Sequence, residues 1–308
     1  MRAVGYAAMT WLKQEQNANV ATEKPREKLP GKVQPFLKWP GGKRWIASKL
    51  ASCIKECLRT TYYEPFLGSG SVFFVLQPRN AVLADVNGDL VNTYLQVRDH
   101  YEEVLSLLKE LPISREDYYN IRNKEPNDTI KRAARFLYLN RTAFGGIYRL
   151  NKHGKFNVPF GGGVRTPEIL WRDKLLEKAS IALLNTKLQT GDFEALLDLA
   201  KPGDVVYCDP TYTVSHENNS FRRYNERNFS WSDQVRLARS AKAAADRGVA
   251  VMVSNAYHKC ISELYSPHHP LVLSRVSRVS PKADGRKLVR ECVFALGPWP
   301  RLWRRHFK

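Results

Sequence analysis

No stretch of this chain approaches the roughly 18 consecutive apolar residues that a membrane-spanning helix needs, so no helical span is expected. The short apolar segment at residues 3–12, behind Arg2, resembles a signal core but lacks a convincing cleavage site, and export is not expected. Disulfide and zinc frameworks are missing as well. The five cysteines (Cys53, Cys57, Cys208, Cys260 and Cys292) are odd in number, with no CxxC pair and no Cys/His spacing suited to a metal. Cys53 and Cys57 lie one helical turn apart, which suits a shared apolar face. Reduced thiols in a cytoplasmic compartment, with no metal site, are therefore expected. Acidic residues are scarce: 30 Asp and Glu stand against 49 Lys and Arg, for a net charge of +19. A solvated basic surface would give the same count. Nucleic acid is the favoured partner, because each phosphate neutralised releases condensed counterions. Repeats and low-complexity tracts are absent. What is present, 43% hydrophobic and 26% charged residues over 308 positions, suffices for one large packed domain or two ordinary ones.

Residues 1–34 are expected to form a flexible basic leader, polar and charged through Pro25 and Pro30. Alternation of strands and helices begins near Pro35. An apolar run through Tyr62, Tyr63 and Phe66 reaches a glycine loop, with a helix expected from about Ser71. Further strands are expected at 81–84, ending on Asp85, at 204–208 and at 249–253, the last two separated by a helix over 232–247. Short strands alternating with helical periods predict an α/β protein with a parallel sheet covered on both faces. Residues 90–139 interrupt this rhythm with helical periodicity alone. Alternation around His153-Gly154, within 147–158, predicts a β-hairpin. The interruption predicts an insertion at 90–165 between two parts of one sheet domain, 35–89 and 166–297, followed by a basic, solvated tail at 298–308.

Two segments carry candidate chemistry. Glu64-Pro65-Phe66-Leu67-Gly68-Ser69-Gly70-Ser71 places small residues between a strand and a helix, where a ligand can approach the backbone closely. Asp85, at the end of the next strand, is placed to accept hydrogen bonds from ribose hydroxyls. The third glycine of a pyrophosphate-binding loop is missing, which favours a nucleoside over a dinucleotide. The second segment, Val205-Val206-Tyr207-Cys208-Asp209-Pro210-Thr211-Tyr212, delivers Asp209 to a sheet edge on buried apolar neighbours. A carboxylate beside the Pro210 carbonyl makes two acceptors, matched to the two hydrogens of an amino group. Tyr212 adds a flat face for stacking a base. On composition alone an Asp-capped turn would be the stronger reading.

Asp209 to Tyr212 resembles the Asp-Pro-Pro-Tyr motif of DNA amino-methyltransferases. Lys38-Trp39-Pro40-Gly41-Gly42-Lys43 is similar to the N-terminal element of the Dam-like (D12 class) DNA adenine methyltransferase family. The loop at 64–71, Ala84-Asp85-Val86-Asn87 and Gly191-Asp192-Phe193 resemble its cofactor motifs. Residues 139–146 and 154–161 resemble its target-recognition segment, and 229–237 with 253–255 continue the likeness in family order. The resemblance implies a Rossmann-like S-adenosylmethionine-dependent methyltransferase sheet with an inserted helical and hairpin DNA-recognition domain. It implies methyl transfer to the exocyclic amine of adenine in double-stranded DNA after base flipping, in a bacterial or phage setting.

By the same resemblance, Trp39 and Lys43 close over the methionine end of S-adenosylmethionine. Phe66, Gly68 and Ser71 line its bed, Asp85 binds the ribose, and Asp192 with Phe193 holds the adenine ring. Asp209, Pro210 and Tyr212 form the catalytic set. Lys38, Arg141, Phe144, Ile147, Arg149, Asn157 and Pro159 contact DNA, with Arg149 at a guanine-reading position and Ile147 suited to a thymine methyl. Thr211 departs from the second proline of the motif. Phe144-Gly145 departs from a Tyr-Asn wedge, which weakens the leading target sequence, GATC. The rival readings are a cytosine-amine DNA methyltransferase, methylation of protein glutamine or RNA adenine, a catalytically weak DNA-binding homologue, and, on the glycine loop alone, an oxidoreductase. The reaction needs only a monomer, and a companion restriction endonuclease is compatible with the family.

Overall fold

The structure is a computed structural model that describes residues 31–151, 153–163, 171, 173–213, 229–276 and 288–308. The expected leader up to residue 30, the segment at 3–12 and the boundary near 165 lie outside the described residues.

Seven strands form one sheet: β1 (Tyr62–Glu64), β2 (Ala81–Asp85), β3 (Thr186–Thr190), β4 (Val205–Cys208), β5 (Ala250–Ala256), β6 (Leu271–Val276) and β7 (Leu288–Leu296). Their order is β3-β2-β1-β4-β5-β7-β6. Strands β1 to β5 are parallel, whereas β7 runs antiparallel to both β5 and β6. The sheet is thus Rossmann-like and mixed, not wholly parallel as the alternation predicts. Strands β3, β6 and β7 add to those expected from sequence. The first two are sheet edges, and β3 is the largely polar Thr-Lys-Leu-Gln-Thr, with no apolar run to mark it.

The central strands behave differently. Every residue of β4 and β5 is buried, as expected where helices cover both faces. Alternate side chains serve opposite layers. Val205 and Tyr207 of β4 join one apolar cluster with Ala250 and Met252. Val206 and Cys208 join the other with Val251 and Val253. The second layer is built from α7 (Phe193–Leu199), α8 (Trp231–Asp246) and α9 (Lys259–Leu264). A reciprocal capping box between Ser230 and Asp233 starts α8.

The first layer contains α1 (Ala47–Cys57), α2 (Ser71–Leu76) and the helical block of α3 (Gly88–Glu110), α4 (Arg115–Asn123), α5 (Thr129–Thr142) and α6 (Asp173–Leu183). Asn87 caps α3 by accepting from the Asp89 and Leu90 amides, both at 3.1 Å. Tyr94, Val97, Tyr118, Phe136 and Tyr138 of the block share one continuous cluster with Tyr62 and Leu83 of the sheet. After α5 the chain closes a stalk through isolated antiparallel bridges, Ala143 to Phe160 and Leu150 to Phe156. The hairpin expected around Gly154 is therefore present only as single bridges. Its short arms are held by Asn151 N–H to the Lys155 carbonyl (2.8 Å) and Asn157 N–H to the Arg149 carbonyl (3.2 Å).

The C-terminal segment corrects an expectation. Instead of a solvated tail, it docks on α1. Trp303 is buried, the Trp299 indole donates to the Val251 and Leu296 carbonyls, and the Lys49 amine donates to the Phe307 carbonyl at 3.0 Å. Arg305 and His306 meet Glu56. The segment's basic residues suggest a tail, but its three aromatics supply the apolar area that fixes it. Among the described residues, no helix is long and apolar enough to cross a membrane.

Strand order reverses between β1 and β4, which pair through Tyr62–Val205 and Tyr63–Val206. The loops leaving these strands flank the crevice at the carboxyl edge, where open α/β sheets bind ligands.

Candidate active site

The loop after β1 turns at Gly68 and Gly70, with φ of +47° and +61°, a region that glycine enters without steric penalty. A Cβ at Gly68 would fall 2.8 Å from Trp39 Cδ1, so the indole lies directly on the backbone. Asp85 anchors this loop. Its Oδ2 accepts the Gly68 amide and its Oδ1 the Asn87 amide, each at 3.0 Å. An ionised carboxylate has about four acceptor positions, so both oxygens retain capacity for a hydroxyl pair. Burial holds this carboxyl above its usual range, against those same backbone hydrogen bonds. The Tyr94 hydroxyl donates to the Gly68 carbonyl (3.1 Å) and Ser71 Oγ lies 2.9 Å from Ser69 Oγ, which fixes the rest of the turn.

Phe66 stacks on Phe193 with centroids 5.4 Å apart. The Arg236 guanidinium lies over the Phe193 ring at 4.5 Å. Phe193 is buried, and Asp192 caps α7 through the Glu194 amide while pairing with Arg236 at 2.7 Å. Of the two residues expected at the adenine ring, Phe193 thus borders the loop after β1, its ring engaged by Phe66 and Arg236.

Asp209 leaves β4 with its Oδ1 2.7 Å from Lys43 Nζ. Lys43 is almost fully buried, and its amine also donates to the Gly41 carbonyl (3.1 Å) and lies 3.6 Å from Glu291 Oε2. The same amine sits over the Tyr212 ring, 4.9 Å from its centroid. One short segment therefore joins both loops: Trp39 rests on Gly68 and, four residues on, Lys43 reaches Asp209. Trp39 also stacks on Tyr148 at 5.4 Å, which ties this segment to the stalk. Thr211, in place of a second proline, is exposed, and its carbonyl faces the Gln234 amide nitrogen at 3.4 Å.

Burial pushes the Asp209 carboxyl up to about 6, and the Lys43 cation keeps it from rising further. Glu64, below it on β1, is pushed to about 8 by burial, against a hydrogen bond from Tyr62 at 2.9 Å, with Asp209 adding to the rise. Glu64 is therefore protonated at neutral pH. Because its folded pKa lies above its unfolded value, its contribution to stability is full in acid and is lost as pH rises toward about 8. The Glu64→Gln variant should show a flatter decline of Tm between about pH 5 and pH 8. Parallel wild-type and variant melting curves across that window would refute this assignment.

The expected DNA-facing residues divide. Phe144 and Ile147 are exposed, as is Pro159, whose carbonyl accepts the Phe144 amide at 2.9 Å. Arg149 and Asn157 come together, Nε to Oδ1 at 2.8 Å, across the base of the short hairpin. The Lys38 backbone is clamped by Asn140 through bonds of 2.9 and 2.7 Å, and its stem packs where a Gly146 side chain would be. Arg141 turns inward, its guanidinium donating to the Phe36 carbonyl. The last turn of α5 packs against the chain at Phe36, and a carbonyl there needs a donor.

Glu291 on β7 and Arg275 on β6, neither expected at the site from sequence, also reach it. Arg275 Nε meets Glu291 Oε1 at 2.5 Å, and the Tyr212 hydroxyl donates to Glu291 Oε2 at 2.9 Å. Burial would raise the Glu291 carboxyl, yet Lys43 and Arg275 hold it below its usual range. The available signal was a lone carboxylate before the apolar run Cys292-Val293-Phe294. Among the described residues no group of three or more side chains gathers to hold a metal ion.

The family model described as D12 class N6 adenine-specific DNA methyltransferase matches residues 39–279. The type II methyltransferase M1.LlaDCHI of Lactococcus lactis subsp. cremoris is 35% identical over 271 residues, covering 85% of this chain and 94% of its own. The type II methyltransferase M.MjaIII of Methanocaldococcus jannaschii is 34% identical over 278 residues, covering 83% and 96%. The DNA adenine methylase of Escherichia coli K12 is 31% identical over 280 residues, covering 87% and 96%.

Proposed function

The chain belongs to the D12 class N6 adenine-specific DNA methyltransferase family, and from this we propose S-adenosylmethionine as the methyl donor and the residues around Gly68 and Asp209 as its active site. The protein is an enzyme of adenine-specific DNA methylation, and DNA is its substrate. One observation carries the site: the Trp39–Lys43 segment links the loop after β1 to Asp209 across the point where strand order reverses.

The donor set fits the nucleoside. Asp85 keeps acceptors for a ribose diol, Gly68 and Ser71 offer a bed with little side-chain bulk, and Trp39 supplies an apolar wall. When bound, S-adenosylmethionine provides a methyl group already activated on a sulfonium. The protein then supplies alignment and an electron-rich amine. Asp209 and the Pro210 carbonyl accept the two N–H bonds of the exocyclic amine, which favours a pyramidal nitrogen with its lone pair aimed at the methyl. Both N–H donors strengthen as positive charge develops on the nitrogen, so these hydrogen bonds stabilise the transition state. Because the amine is unreachable in a stacked duplex, the base is extruded and Tyr212 stacks on it.

Residues 90–165 are proposed as the target-recognition insertion between catalytic segments 35–89 and 166–297. Exposed Phe144 would wedge the duplex, Ile147 would meet a base, and Arg149, braced by Asn157, would read guanine. The bases methylated in DNA from cells expressing the protein test the whole reading. N6-methyladenine confined to GATC is expected. A different methylated sequence overturns GATC, while methylcytosine, or no transfer from labelled S-adenosylmethionine, overturns the site.

A further inference from the structure

The antiparallel strand β7 brings a side chain into the crevice that the parallel strands do not supply. Because β7 runs opposite to β5, its first half lies level with the carboxyl ends of β4 and β5, and Glu291 pairs with Ala256, the last residue of β5. Its carboxylate is nearly fully buried and both oxygens are engaged. Oε1 meets Arg275. Oε2 accepts the Tyr212 hydroxyl at 2.9 Å and lies 3.6 Å from the Lys43 amine that also grips Asp209. Two of the groups around the proposed adenine pocket, the stacking ring and the cation beside the acceptor, thus share one carboxylate oxygen.

We infer that Glu291 is a positioning residue that fixes the Tyr212 ring for base stacking by holding its hydroxyl, with Arg275 holding the glutamate in turn. The inference rests on the reading of Tyr212 as the stacking residue. A tyrosine ring rotates about two side-chain bonds, and a hydroxyl anchored to a buried, doubly ion-paired carboxylate removes that freedom before DNA arrives. Preorganisation of this kind acts on the flipped base and the chemical step and leaves the donor site, on the other loop, untouched.

The test uses the full chain with Tyr212→Phe, Glu291→Gln, Glu291→Leu and the double variant Tyr212→Phe/Glu291→Leu. It measures kcat, KM for S-adenosylmethionine, and the fluorescence of 2-aminopurine placed at the target adenine. Losing a hydrogen bond to a charged group predicts a fall in kcat of about ten- to a hundredfold in Tyr212→Phe and in Glu291→Leu. Donor KM should be unchanged and the flipped-base fluorescence reduced. The double variant should be no worse than the weaker single, because the Tyr212–Glu291 hydrogen bond is already absent in each single. Multiplying losses, wild-type kcat in Tyr212→Phe, or a defect confined to donor KM overturns the inference. If Glu291→Leu does not fold, Tyr212→Phe and Glu291→Gln decide. The glutamine keeps an acceptor in place and should lose less than Tyr212→Phe; a larger loss assigns Glu291 to charge balance and overturns the positioning role. Full activity in Asp209→Ala would remove the catalytic reading beneath this one, whereas an inactive Asp209→Ala beside a fully active Tyr212→Phe removes the positioning role alone.

Discussion

Replacing Asp209 with alanine should lower methyl transfer by at least about a hundredfold, the range seen when one preorganised charge-stabilising group is removed, and should leave donor binding intact. The two effects separate because they arise on different loops. Donor contacts are assigned to Trp39, Gly68 and Asp85, and the hydrogen bonds that shape that loop come from Asp85 and Tyr94, not from Asp209. The fold should survive, because the buried Lys43 amine retains Glu291 at 3.6 Å and the Gly41 carbonyl when its first partner is gone. Single-turnover methylation with labelled donor measures the first effect, and calorimetric titration of S-adenosylmethionine measures the second. Near-normal turnover in a folded variant would end the assignment of Asp209. Loss of donor binding would instead place Asp209 among the cofactor ligands.

The carboxylate proposed to accept the amine sits in a demanding place, since burial raises it against the Lys43 cation. Asp209 ends an all-buried strand, near a protonated Glu64 and an ionised Glu291. Raised to about 6, it still carries its charge at neutral pH. A carboxylate that is ionised but only partly solvated is a strong acceptor for an incoming N–H, since fewer waters compete for it.

The two strand-end motifs were legible in sequence because their causes are local. In the first, a short strand ends on Glu64 and runs into a glycine turn by residue 71; in the second, the buried apolar strand 205–208 runs straight into Asp209 and Pro210. What joins them was not legible. That Lys43 would reach Asp209 depends on how a segment before β1 crosses to β4, which no periodicity reports. The role of Glu291 depends on β7 entering antiparallel, and the polar edge strand β3 has no pattern to mark it. Arg141 shows the opposite limit. A basic residue at the end of a helix suits DNA, a solvent-facing charge or a backbone carbonyl equally well, and only the packing shows that this guanidinium reaches the Phe36 carbonyl.

Lys43 carries the second large prediction, and it separates two roles. The family resemblance puts this lysine at the methionine end of the donor, whereas the geometry puts its amine 2.7 Å from Asp209. Burial raises the Asp209 carboxyl and the Lys43 cation opposes that rise, giving a value of about 6. The proposed role of Asp209 needs the ionised form, so wild-type activity should fall as pH drops through about 6. Lys43→Met removes the opposing cation and should move that acid limb upward by about one to three pH units. At pH 7 the ionised fraction, and the rate with it, then drops by about two- to a hundredfold and recovers as pH rises. A lysine that served only the donor would behave otherwise: its loss would raise KM for S-adenosylmethionine and leave the acid limb where it was. The pH profile of kcat at saturating donor distinguishes the two, because saturation hides a binding defect but not a change in the protonation of Asp209.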